Sequence, residues 1–196
     1  MPAPARNPDR RGRPAVTSAL ELAEVARALF VERGYEETTV ADIAAAARVT
    51  KRTFFRYFAS KAEALWAETP METARFEELL AAASPGMNWR EGLCTCGPAA
   101  IEYSPEQQTW MLHRAQLVFT EPAVREKSVL QQDAWRRVAT EYVAAKLELS
   151  ASDALPVLAG HAALAALMGA HEYWAQHPQE DLTEVHERFL RQVLPE

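Results

Sequence analysis

The chain has 196 residues, 48% of them apolar, with only seven glycines and two cysteines. That length allows one or two small domains with a sizeable core, and the composition argues against a turn-rich sandwich and against a disulfide scaffold. The net charge of −6 is divided unevenly: residues 1–61 hold 11 lysines and arginines against 7 acids, whereas the remainder holds 10 against 20. A net +4 followed by a net −10 implies two ends that serve different purposes.

Residues 1–16, MPAPARNPDRRGRPAV, are rich in proline and arginine and lack an apolar run, which predicts a disordered basic tail rather than a secretory signal or membrane anchor. Arg10, Arg11 and Arg13 suit a minor groove or a solvated tail equally. A capping box, Ser18-x-x-Glu21, opens the first helix, which carries Leu22, Val25, Ala26, Leu29 and Phe30 on one face and stops at Gly34. Thr39 caps a second helix, with Asp42 placed to return the hydrogen bond and Val40, Ile43, Ala44 and Ala47 on one face; it ends near Arg48-Val49. Thr50 then caps a third, whose first turn is Lys51-Arg52-Thr53. Phe54 and Phe58, four apart, anchor that helix and leave Lys51, Arg52, Thr53, Phe55 and Arg56 to share the remaining arc.

Residues 39–58 thus have the layout of a helix-turn-helix, in which a short second helix stands clear of its core to enter a major groove. Arg48, Lys51, Arg52, Arg56 and Lys61 put five cations within residues 48–61 with no acid among them, which favours DNA contact over an ordinary solvated face.

Beyond the motif, Ser60-x-x-Glu63 predicts the cap of a long fourth helix running to about Ala82, closed by Ser84-Pro85-Gly86. Asn88 caps the next segment, but Gly92 and Gly97-Pro98 predict two short pieces separated by a break. Ser104-Pro105-x-Gln107 starts a sixth helix and Thr120-Glu-Pro122 a seventh that runs to about Leu149. Ser152 caps an eighth, with Pro156 tolerated in its first turn. Its stretch LPVLAGHAALAALMGA, residues 155–170, is apolar but at 16 residues falls short of a membrane span, so it reads as a buried helix. Gly160, Ala162, Ala163, Ala166 and Gly169 would let another helix approach closely, from a second subunit or from the same core. The ninth helix covers roughly Thr183 to Val193. The fold class expected is all-α with about nine helices.

GYEETTVADIAAAARVTKRTFFRYFASKAEAL, residues 34–65, resembles the signature of TetR-type transcriptional regulators, and the likeness covers about residues 17–77. The resemblance implies a three-helix DNA-binding head over residues 17–62 and a helical ligand-binding and dimerisation body over 63–196. It places Thr39, Thr50, Lys51, Arg52, Thr53, Arg56, Tyr57 and Lys61 at positions used for bases or phosphates. One departure stands out. The family usually has glycine where this chain has Arg48, so Arg48 either bears a left-handed backbone at a cost on the order of 1–2 kcal/mol, adding a phosphate contact, or the turn differs. RTFFRYFASKAEALW, Asp133 to Arg137 and GHAALAALMGAHEYW are further similar to regulators associated with mycofactocin biosynthesis, which implies an acyl-coenzyme A effector.

For the effector site, the sequence offers Trp110, Arg114, Trp135, Arg137 and His161, with Trp66, Phe119, Trp174 and His113 as further wall or polar candidates. The aromatic residues suit a core as well as a pocket. Cys94 and Cys96 point to a reducing cytoplasm and leave open a metal- or thiol-responsive reading that would recruit His113 or His161. Glycine-rich phosphate loops, a G-x-S-x-G elbow and an H-E-x-x-H zinc motif are absent, so no catalytic residues, metal or cofactor are assigned. The reading is a cytoplasmic, non-enzymatic, ligand-responsive repressor that binds a palindromic operator as a homodimer through helices 8 and 9 and is released by a small hydrophobic effector. A DNA-binding architectural protein is the alternative.

Overall fold

The computed structural model describes residues 18–195, apart from the side chains of Leu130 and Gln131, and divides after Ala64 into two compact units. The basic tail, with Arg10, Arg11 and Arg13, lies outside the described residues. Among those described, all regular structure is helical: α1 (Ala19–Arg33), α2 (Val40–Ala46), α3 (Lys51–Tyr57), α4 (Thr69–Ala82), α5 (Trp89–Ala100), α6 (Pro105–Thr120), α7 (Pro122–Leu147), α8 (Ala154–Gln176) and α9 (Leu182–Val193), plus one 3₁₀ turn at Glu63–Trp66.

The first unit is built around α1. Ser18 and Glu21 form the expected capping box, and Leu22, Ala26, Leu29 and Phe30 are buried. Gly34 ends the helix at φ 90°, a backbone that favours glycine. Helix α2 packs on α1 and α3 on α2, with Ile43, Phe54 and Phe58 closing the small core. Thr38 is fully buried there because its hydroxyl donates to the Gly34 carbonyl at 2.7 Å, satisfying the group without water.

In the second unit, α8 packs against α6, α7 and α9, while α5 lies against α4, α7 and α9. Phe76 stacks on Trp135 with ring centroids 4.2 Å apart, joining α4 to α7.

Several sequence expectations need correction. The fourth helix does not run from Ser60: the chain makes the 3₁₀ turn first, and α4 begins at Thr69. Pro70 is the physical reason, since it lacks an amide hydrogen and its ring clashes in a helix interior but is tolerated in the first turn. Residues 89–100 form one helix rather than two pieces. A Cβ on Gly92 would lie 2.0 Å from the Tyr142 hydroxyl, and one on Gly97 would lie 3.3 Å from His186 and Leu190, so these glycines admit α7 and α9 rather than break α5. Pro98 falls in its last turn.

The residue preceding α8 as its cap is Asp153, not Ser152. Its small residues mostly serve the subunit's own packing: a Cβ on Gly160 would lie 1.9 Å from Thr140 Oγ1, one on Gly169 would meet the Phe189 ring, and Ala163 and Ala166 are buried. At 23 residues α8 is also longer than the 16-residue stretch suggested, and by length and composition alone it is apolar enough to cross a membrane. Its contacts with three neighbouring helices are those of a core helix.

His186 on α9 is fully buried beside Trp135, and neither ring nitrogen has a hydrogen-bond partner among the described residues. Burial pushes its pKa down to about 3, so the folded protein keeps the ring neutral while the unfolded chain takes a proton near the ordinary histidine value. The unfolded state therefore binds more protons between about pH 6.5 and 3, and stability falls as pH falls through that window. His186→Leu should make the loss of unfolding free energy between pH 7 and 4 shallower; denaturant titrations at a series of pH values provide the check.

Candidate nucleic-acid interface and ligand cavity

The interface candidate in the first unit rests on two caps and a turn. Thr39 accepts from the Asp42 amide at 3.2 Å, and Asp42 accepts from the Thr39 amide at 2.9 Å. The Thr39 hydroxyl also donates to the Asp42 carboxylate, and this bond, ahead of the one from the Thr39 amide, holds the Asp42 carboxyl below the usual aspartate range. Helix α2 ends in a Schellman turn: the Arg48 amide donates to Ala45 O at 3.1 Å and the Val49 amide to Ala44 O at 2.9 Å. That geometry requires a left-handed residue, and Arg48 takes it at φ 57°. Thr50 then caps α3, accepting from the Thr53 amide at 3.1 Å.

Phe54 and Phe58 turn inward, and Lys51, Arg52 and Arg56 are exposed, as are Thr39, Arg48 and Thr50. Among the described residues no acid forms an ion pair with Lys51 or Arg52. Arg56 donates to the Tyr57 hydroxyl at 2.9 Å and its guanidinium lies 4.8 Å from that ring, so the two form one unit. Lys61 is placed differently from the other cations. Its Nζ donates to the carbonyls of Tyr35 at 2.7 Å and Glu36 at 3.3 Å and sits 4.1 Å from the Tyr35 ring, tying the α1–α2 connection. Phe55, 54% exposed on the cationic side of α3, is a further contact candidate; an exposed aromatic on a short helix whose inner face already has Phe54 and Phe58 was its sequence signal.

The second unit contains a cavity of about 150 Å³. Ile101, Ala115, Val118, Phe119, Trp135 and Leu167 give it an apolar wall. Trp66, Thr69, Glu72, Arg114, Arg125 and His171 supply its polar and amphipathic lining. Arg114, 4% exposed, pairs with Glu72 at 3.0 Å, and the Tyr103 hydroxyl donates to the same carboxylate oxygen at 3.0 Å. Burial alone would discourage charge on the guanidinium, but Glu72 outweighs it and holds the Arg114 pKa above its ordinary value; burial and Glu72 both push the Tyr103 hydroxyl up. Burial pushes His171 down, and its Nδ1 lies 2.8 Å from Leu167 O, which fixes the neutral tautomer with its proton on Nδ1.

Of the sequence-selected ligand residues, the cavity brings together Arg114 and Trp135, with Trp66 and Phe119. Trp110 is buried outside the lining and stacks on His113. Arg137 is exposed beside Glu141, and His161 is exposed on α8, so neither reaches the cavity. Glu72, Thr69 and His171 were missed. Cys94 and Cys96 are both buried, and burial pushes both thiols up, away from the reactive thiolate. Two apart on α5, they point about 200° from each other. Among the described residues no group of three histidines, cysteines or acids is placed to hold a metal, so the structure does not assemble the site with His113 or His161.

A capped, cation-bearing helix set after a tight turn in one unit, and a lined cavity in a second, all-helical unit, are the features of a helix-turn-helix regulator. Residues 22–68 match the model for bacterial regulatory proteins of the tetR family, and residues 92–196 match the MftR C-terminal domain. The chain belongs to the TetR family of DNA-binding transcriptional regulators. It is 27% identical over 175 residues, 89% of its length and 88% of the relative's, to a Mycobacterium tuberculosis protein named as a mycofactocin biosynthesis transcriptional regulator, MftR. It is 29% identical over 122 residues, 59% of this chain and 61% of the other, to the M. tuberculosis transcriptional repressor KstR2. Among solved structures, Thermus thermophilus FadR, a TetR-family repressor in complex with lauroyl-CoA, superposes with a TM-score of 0.65 at 24% identity, covering 90% of this chain and 93% of that one.

Arg48→Gly should remove the left-handed strain and raise the free energy of unfolding by up to about 1 kcal/mol, measured by urea denaturation. No gain would mean that the Arg48 side chain offsets its backbone cost.

Proposed function

We propose that this protein is a cytoplasmic homodimeric repressor, bound to a palindromic operator through two copies of α3 and released by a small hydrophobic effector held in the second unit. The observation that carries the reading is the division of labour in α3: Phe54 and Phe58 are consumed by the core while Lys51, Arg52, Arg56 and Phe55 remain exposed together. One such helix binds weakly, whereas two spaced by about 34–36 Å read successive turns of a duplex.

Lys51 and Arg52, in the first turn, are assigned to base edges; Thr39, Arg48, Thr50, Thr53, Arg56 and Tyr57 to phosphates or base contacts, and Phe55 to a thymine methyl. Lys61 is assigned to the same face, with its hold on Tyr35 and Glu36 giving it a positioning part as well. Dimerisation is assigned to α8 and α9, where Leu158 and Val193 are 57% and 44% exposed despite being apolar. The effector is assigned to the cavity beside Arg114 and Trp135. The lauroyl-CoA carried by the FadR neighbour supports an acyl-coenzyme A among the possibilities. The buried, opposed thiols of Cys94 and Cys96 speak against a metal- or thiol-responsive switch, and the lined cavity speaks against an architectural role.

By linkage, an effector that weakens DNA binding by some factor must itself bind the DNA-bound protein more weakly by the same factor. Footprinting on genomic fragments tests the DNA assignment. Lys51→Ala and Arg52→Ala should each cost about 1–3 kcal/mol on the preferred site and relax base preference, while unchanged footprints with both would refute it. Leu158→Glu should shift the protein from dimer to monomer in sedimentation and abolish cooperative operator occupancy.

A further inference from the structure

Phe55 stands in the middle of the cationic side of α3. At about 100° per residue it lies about 40° from Lys51 and about 60° from Arg52 around the helix axis, one turn further on, so its side chain leaves the helix between theirs. All three are exposed. Phe55 keeps 54% of its surface in solvent, whereas Phe54 and Phe58 are 0% and 5% exposed. Its ring meets the buried Phe54 ring edge-on, with centroids 5.6 Å apart and planes at 90°, which anchors it at the surface rather than in the core.

What this ring meets follows from the surface around it. A protein partner laid over Phe55 would have to bury Lys51, Arg52 and Arg56 as well, whereas a duplex brings the phosphates and guanine edges that match them. In the major groove, base edges present donors, acceptors and one apolar group, the methyl on C5 of thymine. A phenyl ring has no classical donor or acceptor, so laid over a polar base edge it strips water and returns no hydrogen bond. Against a C5 methyl the same ring removes apolar surface from water on both sides. A 5-methylcytosine presents that methyl at the same ring position, where cytosine and uracil have only a hydrogen.

We infer that Phe55 makes DNA recognition depend on a pyrimidine C5 methyl, that of thymine or of a methylated cytosine, so that methylation of the site sets affinity alongside its hydrogen-bonding pattern. The inference rests on the DNA reading above and deepens it: Lys51 and Arg52 read polar base edges, and Phe55 reads a group that they cannot.

Substituted DNA tests this on the full chain. A genomic fragment that the protein footprints is amplified in three forms: with ordinary nucleotides, with deoxyuridine in place of thymidine, and with 5-methyldeoxycytidine in place of deoxycytidine. Each substitution keeps every Watson–Crick hydrogen-bonding group and changes the C5 methyl alone. Burying one methyl is worth about fourfold in affinity, or about fifteenfold for two half-sites, so a thymine contact should make the uracil form bind about fifteenfold more weakly by fluorescence anisotropy. A methylcytosine contact should instead leave the uracil form unchanged and tighten the 5-methylcytosine form by about the same factor. Phe55→Ala should bind the preferred form more weakly, erase the discrimination and leave the slope of log K against log salt unchanged, because no phosphate contact is lost. Equal affinity of the wild type for all three forms overturns the inference, as does a Phe55→Ala protein that keeps the wild-type discrimination. The wild-type comparison does so whatever the stability of the variant. No footprint on any fragment at low salt overturns the DNA reading itself.

Discussion

The second unit is organised by one buried ion pair. Arg114 on α6 and Glu72 on α4 meet at 3.0 Å with 5% and 14% of their side chains exposed, and Tyr103 adds a hydroxyl to the same carboxylate oxygen. Such a pair adds little net stability over apolar residues of the same shape, but removing one partner strands a buried charge at a cost of about 3–5 kcal/mol. Its contribution is therefore placement. It ties α4 to α6 at one point, and both residues stand in the cavity wall.

The first unit solves a different problem, since seven-residue helices such as α2 and α3 are too short to be stable by propensity. Caps at Thr39 and Thr50, the Schellman turn through Arg48 and the insertion of Phe54 into the core replace length. The cationic arc stays exposed because the other faces are already committed. Lys61 shows the same economy, since a cation on this unit stabilises the α1–α2 connection through two carbonyls while remaining only partly buried.

The motif was legible because it is local. A capping box at Thr39, a second cap at Thr50 and an i, i+4 phenylalanine pair are all written within twenty residues, whereas the left-handed backbone of Arg48 was left open until the fold showed it. The body was less legible wherever one residue type serves two purposes. Gly92 and Gly97 read as helix breakers, yet they are places where Tyr142 and His186 approach the α5 backbone. Arg114 and Arg137 look alike in a list of cations. Their phases differ: Arg114 falls on the stripe of Trp110, Met111, Ala115 and Leu117, whereas Arg137 lies off the stripe of Trp135, Val138, Ala139 and Val143. A charge on the apolar stripe of its own helix needs a buried partner, and Glu72, four residues before Phe76 on α4, carries the complementary signal. Pairing the two across 42 positions, however, required the fold.

Where the cavity lies along the chain bears on how an effector acts. Trp66 and Thr69 line it, and they belong to the few residues that connect the first unit to α4. A ligand shifts an equilibrium only by its differential affinity for two states, so a bystander bound equally in both changes nothing. Trp66 and Thr69 are part of the cavity wall, so the affinity of a ligand held there would depend on the conformation of this segment. The apolar wall formed by Ala115, Val118 and Leu167 belongs to long helices whose rearrangement would cost packing throughout the unit. On the proposed reading, an effector would therefore act through the short segment of chain that follows the first unit.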